Sequence, residues 1–261
     1  MWLGSPEAAD RFEVDKLSPA ERTRYDGLKG ELRRREFAVS RALRAAATGS
    51  SSDDPSHPSS LSHSHGWAAV ASACADCQVG VDLEFYRPRN LLGIARFAFD
   101  PAEIAMLEAR PPEQQHQMFF TLWTLKESMA KALGVPLLVA SRECVFTLES
   151  AVVPGSMGVQ DSQWGRSVAS DSVGVQNPIG PPSCDSMGVP DSHPVGVQNW
   201  KGHVPTERPW LVRAFRPRPD MALSVAVIGS DAVDSVITHE WPDARPGNWQ
   251  PVVALRSNAG S

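Results

Sequence analysis

Four side chains could do chemistry together by type and spacing: Asp82 and Glu84 in "GVDLE", and Glu127 and Lys131 in "LWTLKESMAKALG". Residues two apart on a strand point to one face, so Asp82 and Glu84 present paired carboxylates while Val81 and Leu83 face the other way. Two adjacent acids repel and are tolerated on a wet edge or around a cation. On a helix, Trp123, Glu127 and Lys131 follow at i, i+4 and i+8 and drift only slowly round one face. Glu127 four residues before Lys131 fits a plain surface ion pair. An indole beside that pair fits a site wall better. A third carboxylate from the helix, joined to the strand pair, would make a hard-oxygen environment suited to Mg2+, with a lysine one turn away for phosphate. "SLSHSHG" (residues 60–66) adds hydroxyls, His63 and His65 just before a strand; by themselves these are ordinary loop histidines.

The elements that must position these groups have clear local signals. Ser18-Pro19-Ala20-Glu21 reads as N-cap, N1 proline and capping-box glutamate. The helix it starts carries apolar Tyr25, Leu28, Leu32, Val39 and Leu43, weakened early by Gly27 and Gly30. Its other face is rich in arginine, from Arg22 to Arg44. That face is either solvated and laced with acids or a cationic wall for phosphate or an acidic partner. Residues 47–60 form a polar loop, followed by strands near Trp67–Ala73 and Gln78–Phe85. Asp100-Pro101-Ala102-Glu103 repeats the capping pattern. A longer helix covers Glu113 to Leu133, with Gly134 and Pro136 as its stop. "ECVFTLE" alternates as a strand. Residues 151–204 are Gly-, Ser-, Pro-, Asp- and Gln-rich with irregular repeats such as "SMGVQDS" and "SVGVQNP", which reads as a disordered insertion. Two strand-like runs follow, "WLVRAF" and "MALSVAVI", and residues 231–261 read as an irregular tail.

The 261 residues are ample for a buried core, and a net charge of −5 does not mark a nucleic-acid binder. No apolar run reaches the ~20 residues that span a bilayer. The first residues show no signal pattern, so a cytoplasmic, monomeric protein is expected. Lysine occurs at five positions only, which singles out Lys126 and Lys131. Cys74 and Cys77 form a lone C-x-x-C without a second pair for zinc. Two semi-buried free thiols near a turn are expected there.

"SLSHSHGWAAVA", "VGVDLE" and "FFTLWTLKESMAKALGVPL" occur in this order, and together they resemble the 4′-phosphopantetheinyl transferases, in their longer, surfactin-synthetase-activating branch. The resemblance covers residues 17–148, and loosely 210–229. It implies an α+β fold, a pseudo-dimer of two similar α+β halves (residues 1–95 and 96–230) with coenzyme A in the cleft between them. It implies an enzyme of the holo-acyl-carrier-protein synthase type. Such an enzyme moves the phosphopantetheine arm of coenzyme A to a serine of an apo carrier protein and releases adenosine 3′,5′-bisphosphate. Carried over, Asp82, Glu84 and Glu127 would hold Mg2+. Glu127 would take the serine proton, and Lys131 would neutralise the leaving phosphate. Ser62, His63, Lys126 and Arg44 would contact the coenzyme.

Three departures stand out. The link to the Ser-His segment is short and lacks the family's basic residue beside a proline. Arg44 is offset by one residue from the phosphate-contacting arginine. The insertion interrupts the second half. A catalytically impaired carrier-protein or nucleotide-binding module, and an unrelated Mg2+-dependent phosphoesterase, remain alternatives. Several carriers are open, with secondary metabolism favoured by the resemblance.

Overall fold

The computed structural model of the chain describes residues 1–48, 58–148, 199–229, 236–241, 243 and 245–257. Strand β1 (Trp2–Gly4) precedes two short 3-10 turns and helix α1 (Pro19–Gly27). Helix α1 starts on the full Ser18/Glu21 capping box. The single long helix expected here is two. The chain breaks at Gly30, which takes φ +90°, and restarts as α2 (Glu31–Thr48). Strands β2 (Ser59–Ser64) and β3 (Trp67–Ser72) then form a hairpin. Its two-residue turn, His65-Gly66, has both residues at positive φ, the requirement of the tight turn that matches strand twist. The Ser-His segment is therefore a strand, not the loop its polar composition suggested.

Strand β4 (Gln78–Phe85) carries the paired acids. Between β3 and β4, Cys74 and Cys77 are joined as a disulfide, contrary to the expectation of free thiols. The intervening turn brings their Cα atoms to 5.4 Å, within bridging range. Helices α3 (Leu91–Ala98), α4 (Pro101–Glu108), α5 (Pro112–Leu133) and α6 (Leu137–Glu143) follow. Asp100 and Glu103 close a second capping box on α4, and Gly134 ends α5 at φ 69°.

Strand β5 (Val145–Leu148) pairs with β6 (Trp200–His203), so the last residues of the expected insertion 151–204 are ordered sheet; 151–198 lie outside the described residues. Strands β7 (Trp210–Phe215) and β8 (Met221–Ile228) are the expected late pair. The tail is not irregular. It supplies β9 (His239–Trp241) parallel to β1, β10 (Arg245–Pro246), and β11 (Pro251–Arg256) against β7.

Besides the β5-β6 pair, two larger sheets form among the described residues, in the orders β10-β9-β1-β3-β2 and β11-β7-β8-β4. Val79, Val81 and Leu83 of β4, with Leu223 and Val225 of β8, pack against Leu3, Ala69 and Ala71 of the other sheet. The outer face of one sheet takes Val39 and Leu43 of α2, and that of the other takes Leu122, Leu125 and Met129 of α5. Every residue of β8 is buried because both its faces are covered. Met1–Glu149 and Asn199–Ser261 cluster as one compact unit, and β4 and β8, on opposite sides of residue 95, pair along their full length. Mixed helix and strand, as an α+β chain, agrees with expectation.

Candidate active site

The site is built where α5 crosses β4, and Gly80 sets the distance. A Cβ on Gly80 would stand 1.9 Å from the Ser128 carbonyl oxygen and 2.7 Å from the Ala132 nitrogen. Only a hydrogen there lets the helix backbone lie on the strand. Strand alternation puts Asp82 and Glu84 on this helix-facing side. On α5, Glu127 and Lys131 precede the contacting residues Ser128 and Ala132 by one position each. A Thr124–Ser224 hydroxyl bond of 2.8 Å ties the same helix to β8.

Strand β4 is an edge strand, so its outward backbone groups need partners. They find side chains of β2 and α5. Val81 N–H donates to Ser60 Oγ at 3.0 Å, and Leu83 N–H to Ser62 Oγ at 3.3 Å. Lys131 Nζ donates to the Val81 carbonyl at 2.8 Å. The same groups reach the acids. Ser62 Oγ donates to Asp82 Oδ1 at 2.9 Å, and Lys131 Nζ to the same oxygen at 2.9 Å. Arg87 lies 3.8 Å from Glu84. Lys131 thus reaches across to Asp82 rather than along the helix to Glu127, and the i, i+4 pair is not the one formed.

The electrostatics follow from this crowding. Burial pushes the Glu127 carboxyl up to about 7; Asp82 and Glu84 add to the rise and Lys131 opposes it. Burial also raises Glu84, with Asp82 second and Arg87 and Lys131 opposing. A carboxyl at about 7 is poised to accept a proton near neutral pH. Asp82 Oδ2 is buried without a hydrogen-bond partner. Such an oxygen, among three carboxylates, is a chemical fit to a hard divalent cation. Among the described residues, no three acidic, His or Cys side chains converge as they would around a bound ion.

The remaining expected residues divide. Ser62 is buried and in the network, whereas His63, next in the strand, points to the other side, 54% exposed and 3.9 Å from Glu36. There it lines a cavity of about 300 Å³ with Arg24, Arg33, Arg41 and Leu61. Arg44 donates to Ser59 Oγ at 2.9 Å. Lys126 is a correction. It is fully buried, ion-paired with Glu103 at 2.8 Å, and donates to the Ser141 and Cys144 carbonyls at 2.7 Å each. Its three donors are used inside the protein, and none is left for a coenzyme phosphate. Trp123 is likewise a core anchor, stacked on Phe119 at 5.8 Å, rather than a site wall.

Ser60, Gly80 and the Val81 carbonyl were not singled out as functional from sequence. The signal for Ser60 was present in S-x-S-x-S, three hydroxyls on one strand face, had the segment been read as a strand.

Residues 78–168 match the model of the 4′-phosphopantetheinyl transferase superfamily. The chain is similar to the 4′-phosphopantetheinyl transferase HetI of Nostoc sp., 41% identical over 75 residues, 28% of this chain and 31% of that protein. It is 40% identical over 80 residues to the 4′-phosphopantetheinyl transferase psf-1 of Bacillus pumilus, 31% of this chain and 33% of the relative. A Bacillus subtilis 4′-phosphopantetheinyl transferase is 36% identical over 74 residues, covering 28% and 32%. The matches thus span about a third of the length of these relatives. The family-model match includes Asp82, Glu84, Glu127 and Lys131 and leaves Arg44, Ser62 and His63 outside it.

Proposed function

We propose that this protein transfers the 4′-phosphopantetheine arm of coenzyme A to a serine hydroxyl of an apo carrier protein, releasing adenosine 3′,5′-bisphosphate. The observation that carries the reading is the packing of Glu127 and Lys131 of α5 over Asp82 and Glu84 of β4, inside the segment similar to such transferases. Glu127, held near neutral pH by burial, takes the proton of the attacking serine. Lys131 supplies positive charge to the leaving phosphate. Asp82, Glu84 and Glu127 would hold Mg2+, which when bound neutralises the pyrophosphate oxygens. The arginine- and histidine-lined cavity beside His63 has the charge and size for the coenzyme's anionic nucleotide end. A coenzyme between two similar halves, of the surfactin-synthetase-activating type, belongs to the same reading.

A binding module without turnover is the second reading. It is favoured by one observation, that the three acids do not converge as placed. Mass spectrometry of apo carrier proteins incubated with the protein, coenzyme A and Mg2+ separates the two. The transferase adds one phosphopantetheine to a carrier, and no gain on fatty-acid, polyketide or nonribosomal peptide carriers refutes it.

A further inference from the structure

Lys131 is committed to β4 by two bonds at once. Its ammonium donates to the Val81 carbonyl and to Asp82 Oδ1, and Ser62 donates to that same oxygen. Asp82 Oδ2 keeps no partner. The Asp82 side chain is 7% exposed and that of Lys131 32%, so the lysine is the more solvent-open member. The ammonium therefore acts as a counter-charge built into the protein for a buried carboxylate. A divalent cation drawn to Asp82 meets that charge at close range, where repulsion between cations is strong and weakly screened.

We propose that Lys131 and a divalent cation compete for Asp82, so that the cation's arrival displaces the ammonium and frees it for an incoming phosphate. Lys131 is then a positioning residue for Asp82 before it is a phosphate contact. The inference rests on the transferase reading only for that last step; the competition itself is a property of the protein and the metal. The Val81 carbonyl gives the lysine a second hold, which keeps it beside the site when Asp82 changes partner.

The test uses the full chain, freed of metal, with Mn2+ alone and no coenzyme. Free Mn2+ is read by electron paramagnetic resonance for wild type, Lys131→Met and Lys131→Arg. Removing the charge should tighten Mn2+ binding about tenfold, and arginine, which keeps it, should stay near wild type. Equal or weaker binding by Lys131→Met, or no Mn2+ binding by wild type, overturns the proposal. If Lys131→Met does not fold, lysine acylation on wild type followed by peptide mass spectrometry decides. Adding Mn2+ should raise the labelling of Lys131 several-fold relative to exposed Lys16, with buried Lys126 silent throughout. Unchanged or reduced Lys131 labelling overturns it. A wild-type protein that loads carriers while these readouts fail sinks this inference and leaves the transferase reading standing.

Discussion

Lys126→Met should unfold the protein far more than it affects any ligand. Lys126 and Glu103 are both fully buried, with their charged atoms 2.8 Å apart. Glu103 also accepts the backbone N–H groups of Phe146 at 2.8 Å and Asp100 at 3.0 Å, so it joins α4, α5 and β5. Burial pushes the carboxyl up and the ammonium down, and each partner's charge opposes that drift. Methionine fills the lysine stem but leaves a buried carboxylate unpaired and two carbonyls at the α6 C-terminus without their donor. Breaking such a pair from one side costs about 3–5 kcal/mol. For a domain of this size that lowers the thermal midpoint by about 6–20 °C. The double variant Lys126→Met/Glu103→Gln should cost less than the sum of the singles, because the carboxylate is gone too. Thermal melts followed by circular dichroism check both. A midpoint within about 2 °C of wild type, with weakened coenzyme binding, would refute the structural role and return Lys126 to the phosphates.

Gly80→Ala places a methyl into the Ser128 carbonyl, and backbone cannot yield as a side chain does; a loss of at least about 2 kcal/mol is expected by urea titration, with transfer activity lost even where the fold survives. Ser62→Ala removes one of the two donors to Asp82 Oδ1 and the acceptor of the Leu83 N–H and should cost about 1–3 kcal/mol, whereas His63→Ala should leave stability unchanged and weaken coenzyme binding, read by calorimetry. For Glu127 the folded carboxyl, at about 7, lies above its ordinary value of 4.5. The folded state holds the proton more tightly. Its stabilising contribution is therefore present below pH 4.5 and lost as pH rises through 7. In metal-free buffer, wild type should lose about 1–2 kcal/mol relative to Glu127→Gln between pH 4.5 and 8, a figure discounted for partial exposure. Parallel pH profiles for the two proteins would show that Glu127 is not raised.

What the sequence made legible was local. Ser18 and Asp100 cap their helices as their neighbours dictate, because capping needs residues within four positions of each other. Gly134 stops α5 for the same reason. The Asp82/Glu84 alternation was readable from strand period alone. What stayed hidden depended on partners far away. Residues 59–64 lack strand composition, yet pair because β3 offers a ladder and β4 offers donors to the serine hydroxyls. Lys126, scarce by type and beside the helix acid, was read as a coenzyme contact; its partner is Glu103, on another helix. Strand β9, the three residues His-Glu-Trp, finds β1 across almost the whole chain, and so short a run gives no local hint of that.

The same distant contacts explain why the site lies at the edge of a sheet. An interior strand would spend the Val81 and Leu83 backbone groups on a neighbouring strand. At the edge those groups are answered by Ser60, Ser62 and Lys131, and two of these three also bond Asp82. Satisfying the strand's backbone and placing the carboxylate are therefore one event. Helix α5 divides its labour between consecutive residues, which point about 100° apart. Lys126 turns inward and locks the helix to α4 and α6, while Glu127 turns towards the strand acids. A shift of α5 that eased one contact would strain the other. The rigid lock on the inner face thus fixes the distance at which Glu127 and Lys131 meet β4, and it is for this reason that a buried lysine next to Glu127 matters to the proposed chemistry, which it never touches.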